Sequence, residues 1–599
     1  MSHSSKPELG AHLDPGGVRF AAFTQARACA VELCDEPPRT LQMQALGGGY
    51  FEVFARDVTE GADYWFVIDG KRLPDPYARA LPRGVHGPAR VVASDFVFQH
   101  APPERPLAQQ VIYELHVGTF TSEGTFAAAR RRLPALAELG ITTIELMPVA
   151  AFAGTRGWGY DGVAPFAPHE SYGSPDDLRE LVDAAHGLGL SVLLDVVYNH
   201  FGPSGNYLGA YSSRYFREDS SNPWGQALDF TEPALRRLVL DNARYWLESF
   251  RFDGLRLDAT HAIVDPSPVH ILSEIARLAH GMSPPRLALA EDERNFAELV
   301  SVAGLDGLWA DDFHHQVRVT LTGERSGYYQ AYERSVQGIA DAINRGWLYT
   351  GQRHPISGQA RGSSADALPA EALLYCIQNH DQVGNRAFGD RLSARVSLDY
   401  FRGVSLLLLF LPMTPLLFMG QEWAASSPFL YFTDHEPELG RLVTEGRRRE
   451  FSGFEEFAEP LDGRAVPDPQ SAATFRASKL QWSERERPAH RQTLDLYRAA
   501  LDLRRRDPVL KRSGREQLLA HASGKVLLVN RWLDNDRRLL IMSFHHEDVA
   551  LSQILPSARL RDARPLLSSS GSVGDTLRPG DAMVLSGTGN LAGLLEGNP

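Results

Sequence analysis

Lysine is nearly absent from this 599-residue chain: Lys6, Lys71, Lys479, Lys511 and Lys525 stand alone, and every other fixed positive charge is arginine. Acidic residues number 74 against 61 basic ones, for a net charge of −13. An acidic chain with no basic block argues against nucleic acid and anionic membranes as main partners, and a neutral substrate fits better. Cysteine is scarce too. Cys29, Cys34 and Cys376 make neither a disulfide framework nor a zinc site, and Cys29 and Cys34 face opposite ways on any strand that holds both. The start, MSHSSKPELG, lacks a charged segment followed by an apolar one, so a cytoplasmic protein is expected. The apolar run LLLLFLP (406–412) is too short to cross a bilayer. No internal repeat is visible.

What is present is an ordinary share of hydrophobic residues, 43%, on a chain long enough for several domains. Residues 1–105 carry short alternating runs (VRFAAF, ACAVELC, YFEVFARDV, ADYWFVIDG) between Gly, Pro and Asp turns, which predicts an N-terminal β-sandwich, Ig-like. APPERPLAQQ (101–110) reads as a linker. From VIYELHVGTF (111–120) onward, apolar strands alternate with helical patterns. TTIELMPV, SVLLDVVYNH, GLRLDAT, RLALAED, GLWADDF, LLYCIQNHD and PLLFMGQEW complete a set of eight strands. The best-marked helix is SPDDLRELVDAAHGLG, with Ser174 as N-cap, Pro175 first, acids in the first turn, and Leu178, Leu181, Val182 and Ala185 on one face. Eight such units indicate an α/β fold, a (β/α)8 TIM barrel over 106–512 whose site lies at the C-terminal ends of the strands. An open doubly wound sheet is the alternative, but no glycine-rich phosphate fingerprint follows any strand. The barrel carries a short insert at about 201–232 and a charged excursion at about 424–485, followed by an amphipathic helix near 490–506. Residues 513–599 return to short strands such as KVLLVNRW and RRLLIMSF, a C-terminal all-β domain.

The stretch GLRLDATH (254–261) puts Arg256 and Asp258 on one side of a strand and Leu255 and Leu257 on the other. A fixed cation beside a carboxylate keeps that carboxylate ionised and oriented, which makes Asp258 a nucleophile candidate. Most Arg-x-Asp strands are structural ion pairs. Here, however, Asp195 and His200 end the third strand, Glu291 the fifth, and His380 and Asp381 the seventh. Three carboxylates, Asp258, Glu291 and Asp381, would then meet at one mouth, where crowding lets one hold a proton while another stays charged. Glycoside hydrolysis needs that division into an acid and a nucleophile.

The segments DVVYNH (195–200), GLRLDATH (254–261), ALAEDERN (288–295) and IQNHDQ (377–382) resemble the four signature regions of the α-amylase superfamily of glycoside hydrolases, in order and at similar spacing. The resemblance covers the barrel and both β-domains. It implies a retaining mechanism with Asp258 as nucleophile, Glu291 as general acid/base and Asp381 gripping sugar hydroxyls. It also implies that Asp195, His200, Arg256 and His380 line the same subsite, with Tyr160 of RGWGYDG as the aromatic under the sugar and Trp158 beside it. His261 and Ala262 stand where digestive amylases carry Lys and His, and the short insert leaves little room for their calcium site. Asn199, a calcium ligand by position, is read as a structural hydrogen bonder. No metal and no cofactor are expected. The N-terminal β-domain resembles the branching, debranching and trehalose-forming group. Within it, YNHFGPSGNYL, FDGLRLDATHAI, LAEDERN, WADDFHH and QNHDQVGNRA are similar to the trehalose-releasing members. That implies cleavage of the α-1,4 bond next to the terminal trehalose of a maltooligosyltrehalose, with trehalose as product and a synthase as functional partner. A monomer is expected. Asp311, Asp312, His314 and His315, with Gln382 and Arg386, are candidates for the trehalose side.

Blander readings stand beside these. Trp158 and Tyr160 could be core aromatics, and the histidines of WADDFHH could be solvated loop side chains, strand alternation keeping them from sharing a metal. The RRRE run (447–450) reads as a solvated or salt-bridged face. Glu422 and Trp423, ending the eighth strand, have two readings: lining the pocket or simply closing the barrel. A noncatalytic barrel is a rival, but such relatives commonly lack one or more of the acids present here. A branching enzyme, which passes the glycosyl unit to a sugar hydroxyl instead of water, is the stronger rival.

Overall fold

A computed structural model describes residues 6–93, 95–222, 225–452, 465–512, 514–554, 563–571 and 574–588. The eight expected barrel strands all form: β1 (Ile112–Leu115), β2 (Thr143–Leu146), β3 (Ser191–Val196), β4 (Gly254–Leu257), β5 (Leu287–Ala290), β6 (Gly307–Trp309), β7 (Leu373–Tyr375) and β8 (Thr414–Phe418). They close in chain order into a parallel barrel, with β1 pairing both β2 and β8. Side-chain alternation divides each strand between two environments. Ile112, Leu193, Leu289, Trp309, Leu374 and Leu416 fill the barrel's interior, while Ile144, Leu146, Leu255 and Leu257 belong to the larger core beneath the surrounding helices.

The helix Pro175–Gly187 (α1) starts as its sequence dictates. The Ser174 hydroxyl accepts from the Asp177 amide while the Asp177 carboxylate accepts from the Ser174 amide, and Leu178, Leu181, Val182 and Ala185 are buried. The helix Leu398–Phe410 holds the apolar run in question. It is buried throughout 401–410, between the amphipathic helix Pro488–Arg506 and the C-terminal sheet. No helix among the described residues is long and apolar enough to cross a membrane.

Before the barrel stand two antiparallel sheets. One runs Gly10–Asp14, Gly17–Phe23, Tyr50–Arg56, Gln44–Gly47, and the other Arg39–Gln42, Cys29–Leu33, Asp63–Ile68, Lys71–Leu73. Tyr64, Phe66 and Ile68 turn inward from every second position of DYWFVI, the pattern of a half-buried strand. Cys29 and Cys34 are unpaired. After the barrel, five strands from Leu518 to Gly587 form an antiparallel sheet. Within the excursion 424–485, Pro437–Ser452 and Ala472–Ala477 are helical, and residues 453–464 of that segment lie outside the described residues.

Two segments make contacts that their sequences do not announce. The stretch 101–110 is not a free linker: Leu107 is buried in the barrel's floor, and Thr143 donates to the Gln110 side chain at 3.0 Å. Just before it, the amides of Gln99 and His100 both donate to Asp183 on α1 at 2.9 Å. The insert at 201–232 also has a partner. The Tyr211 carbonyl accepts from the Gln25 amide and the Thr24 hydroxyl, both at 2.9 Å, and its phenol donates to the Pro74 carbonyl at 2.9 Å. The insert therefore ties the N-terminal sheets to the barrel rim.

Two glycines test the packing. A Cβ on Gly403 would lie 2.2 Å from the Gly580 carbonyl, where the helix Leu398–Phe410 meets the C-terminal sheet, whereas a Cβ on Gly446 would meet nothing within 4 Å. Alanine favours a helix interior by ~0.5–1 kcal/mol over glycine, but overpacking costs ~1–3 kcal/mol. Gly446→Ala should therefore raise the urea midpoint slightly and Gly403→Ala should lower it. A Gly403→Ala protein as stable as Gly446→Ala would contradict the close approach.

Candidate active site

At the mouth of the barrel one guanidinium holds three carboxylates. Arg256, on β4, is fully buried. Its Nη1 donates to both oxygens of Asp195 at 2.9 and 2.8 Å and to Asp258 at 2.7 Å, and its Nη2 lies 3.8 Å from Glu291. Strand register makes this possible, because Asp195 on β3 sits directly opposite Arg256. Trp309 of β6 covers the guanidinium, 4.3 Å from its ring centre. Arginine suits this position because it stays charged when buried and carries several donors in one plane.

The ends of β4 and β5 interlock. The chain turns through the left-handed region at Ala259 (φ +40°), a costly conformation for an alanine, and this aims the Ala259 amide at Glu291 at 2.7 Å. Thr260 adds its amide and hydroxyl to the Glu291 carbonyl at 2.9 and 3.0 Å. The Asp258 side chain is held from both sides, by Arg256 on one oxygen and by Asn199 Nδ2 on the other at 2.8 Å. Burial pushes the Glu291 carboxyl well above its ordinary value. Arg256 opposes that, and the charges of Asp258, Asp311 and Asp381 add to it.

Asp381 lies in the first turn of a short helix, His380–Gly384, with Asn379 as its cap. It is the most open of the three acids, its side chain 36% exposed, and accepts from Asn385 at 3.0 Å. His380 is buried and forms a short bond through Nδ1 to Glu114 on β1. Its Nε2 meets the Tyr160 hydroxyl at 2.8 Å, and that hydroxyl donates to Asp195 at 2.6 Å. Burial pulls the His380 imidazole down, but the charges of Asp381 and Glu114 prevail and raise it to about 9. A charged His380 donates from both nitrogens, so Glu114, His380, Tyr160 and Asp195 form one directed chain. The Tyr160 ring lies nearly parallel to His380, centres 5.1 Å apart. Asp195, pushed up to about 6 by burial, ends the chain.

Asp258, Glu291, Asp381, Asp195, Arg256, His380 and Tyr160 thus come together. His200 joins at their edge, buried, with Nε2 on the Tyr160 carbonyl at 3.0 Å and Nδ1 against Asn199. Trp158 is set back: only 6% exposed, stacked on Phe429, with its indole N–H on the Leu430 carbonyl.

WADDFHH is neither strand nor loop past Trp309. A helix, Asp311–Thr322, begins at once, in keeping with the preference for acids in a first turn. Asp312 is fully buried and accepts from Asn295 and the amides of Leu348 and Tyr349 on one oxygen, and from Tyr332 on the other, with Arg361 beside it at 3.2 Å. With these acceptor sites filled by the protein, it anchors the loop around Tyr349. His315 is buried against Tyr332 and Tyr328, and His314 pairs with Asp311 at 3.0 Å. Gln382 accepts from the Tyr328 and Tyr329 hydroxyls at 2.9 and 3.0 Å, and Arg386 is bound to Glu324 through both terminal nitrogens. Glu422 and Trp423 are buried, Glu422 taking the Tyr113 hydroxyl at 3.1 Å. Arg447 of the RRRE run turns inward, donating to the Gly384 and Arg386 carbonyls at 2.6 and 3.2 Å.

Two acids escaped the sequence reading. Glu114 on β1 and Glu145 on β2 lie side by side in register, inside the barrel beneath the mouth. Neither oxygen of Glu145 has a hydrogen-bond partner, and burial, reinforced by the Glu114 charge, pushes it well above the ordinary carboxyl value. The signal was a single glutamate in the middle of each apolar strand, YEL and IEL.

The raised His380 has a testable sign. Its charge adds stability that is complete below its unfolded value of 6.5 and is lost as pH rises through about 9. The stability difference between the protein and His380→Gln should therefore shrink on going from below pH 6.5 to above pH 9, by on the order of 1–3 kcal/mol. Urea unfolding at the two pH values measures it. A constant difference would show that His380 is not held as the cation.

The chain matches the family model "Alpha amylase, catalytic domain" over residues 74–223. It is 50% identical to the malto-oligosyltrehalose trehalohydrolase of Deinococcus radiodurans over 595 residues, 97% of each chain. A 1,4-alpha-glucan branching enzyme of Corynebacterium jeikeium is 27% identical, over 69% of this chain and 62% of its own. Among solved structures, one from Salmonella typhimurium, described as a candidate alpha amylase, superposes with a TM-score of 0.88 at 36% identity, covering 97% of this chain and 99% of its own. At that identity over that length, the chain belongs to the malto-oligosyltrehalose trehalohydrolase family of α-amylase-type glycoside hydrolases.

Proposed function

We propose that the chain hydrolyses the α-1,4 bond next to the terminal trehalose of a maltooligosyltrehalose, releasing trehalose and a shortened maltooligosaccharide, with retention at the anomeric carbon. An Asp258 oxygen attacks that carbon while Glu291 gives its proton to the departing glycosidic oxygen, leaving a glycosyl ester on Asp258 and trehalose free. Glu291, now a carboxylate, takes a proton from water as the water's oxygen attacks the same carbon, and the ester breaks to restore both acids. The observation that carries this reading is the single buried Arg256 guanidinium reaching both acids, bonded to Asp258 and 3.8 Å from Glu291, whose carboxyl burial pushes well above its ordinary value, toward the protonated form an acid needs. Asp381, the most exposed acid, is placed to bind sugar hydroxyls, and Tyr160 offers a ring fixed by its bonds to Asp195 and His380. Tyr328, exposed beside the buried Gln382 and His315, is the nearest candidate for the trehalose side. The substrate has to come from an enzyme that converts the reducing end of a maltooligosaccharide to trehalose. Transfer to a sugar hydroxyl, the branching reaction, is the second reading, favoured only by the shared barrel and acids.

Maltotriosyltrehalose should yield free trehalose, and maltopentaose should be cut far more slowly. Transfer products from a longer glucan without trehalose would move the assignment to branching. Asp258→Asn should abolish turnover with the fold intact, as shape is kept and nucleophilicity lost. Activity above a few per cent would remove Asp258 from that role. Glu291→Gln should hurt natural leaving groups far more than an activated aryl glycoside, which needs no proton. Equal losses would count against Glu291 as the acid.

A further inference from the structure

Away from the catalytic mouth, a cavity of about 550 Å³ opens between the helices Pro233–Ser249 and Ile271–His280. Its lining residues Arg251 and Arg286 immediately precede β4 and β5, so it lies at the barrel's opposite end. Four arginines, Arg244, Arg251, Arg277 and Arg286, face one glutamate, Glu248, in a chain whose net charge is −13. Two of them are neutralised: Arg244 pairs with Glu248 at 2.9 Å, and Arg286 with Asp253 at 2.6 Å. Among the described residues, Arg251 and Arg277 have no carboxylate within ion-pair distance and no hydrogen bond to a helix-end carbonyl, so capping the helix ends does not account for them.

The site is also built in advance. Arg286 is buried and locked by Asp253, which His186 and the Val192 amide also hold. Arg251 occupies the left-handed region (φ +57°), rare for an arginine, with its guanidinium 4.4 Å above the Phe98 ring. Burial lowers the Arg286 value, Asp253 opposes that, and repulsion from Arg251 lowers it further, so an anion between the two arginines would relieve their repulsion. Leu247 and Met282 add an apolar wall. Planar guanidinium groups match phosphate oxygens two at a time; Arg286 and Arg251 are held in place and Arg277 stands exposed at the rim, and the volume exceeds what a bare phosphate needs. We propose that this cavity binds the phosphomonoester of a small sugar, its phosphate between Arg251, Arg277 and Arg286 and its sugar ring against Leu247 and Met282.

Calorimetric titration of the full chain at low salt tests this with three probes: glucose 6-phosphate, inorganic phosphate and glucose. The variant Arg251→Asn with Arg277→Gln removes two charges while respecting the left-handed turn and the helix. Arg498→Gln with Arg505→Gln, on the exposed face of the helix Pro488–Arg506, removes the same charge elsewhere. Glucose 6-phosphate should bind at one site, at least tenfold more weakly to the pocket variant and unchanged in the control, with glucose silent. Loss of the Arg251 and Arg277 contacts would account for that tenfold change, and thermal melts should show both variants folded. Absence of binding, or equal loss in both variants, would overturn the site. Inorganic phosphate binding as tightly as the ester would overturn its assignment to a sugar phosphate.

Discussion

A buried arginine among acids is the constraint on which the mouth of this barrel depends. Removing a guanidinium from water is costly, and the cost is met only if carboxylates are fixed around it. Arg256 achieves this by lying opposite Asp195 in the sheet and two residues before Asp258, with Glu291 brought in by the next strand. The positions of Asp195, Asp258 and Glu291 thus follow from strand register, completed by Asn199 and the turn at Ala259, while Asp381 is set by the short helix after β7. The interior below continues the same logic. Glu114 offsets the cation of His380, while Glu145, without a hydrogen-bond partner among the described residues, is pushed by burial well above the ordinary carboxyl value.

Much of this was legible in the chain. Barrel strands are short apolar runs with polar groups at one end, and GLRLDATH, LALAED and LLYCIQNHD announce both the run and its end. The helix beginning at Ser174 was equally plain, because a capping residue, a proline and first-turn acids all agree. WADDFHH was harder: strand and helix meet within two residues, and the acid pair that signals a helix start also resembles a site. Its consequence was large, since helical geometry turns Asp312 inward to four protein donors. Trp158 presented a similar ambiguity, because a tryptophan among glycines has the same pattern whether it faces a sugar or packs as Trp158 does, stacked on Phe429 with its edge toward His380.

Contacts between distant segments were illegible for a simple reason. The Tyr211 carbonyl bonding the Gln25 amide, or Arg447 reaching the Gly384 carbonyl, involves backbone groups that every residue possesses, so no side-chain pattern marks them. The same holds for Glu114 and Glu145, whose partners or lack of them appear only when strands are set side by side.

The fixing of residues 99–110 bears on how the molecule could move. With two amides on Asp183, Leu107 sunk in the barrel floor and the insert bonded back to the N-terminal sheets, the path between the sheets and the barrel is fastened at both ends and across the middle. A cut in the peptide there would leave two fragments still clasped through Tyr211. The N-terminal sheets are accordingly fastened to the barrel at several separate points, so swinging them away would break all of these contacts together.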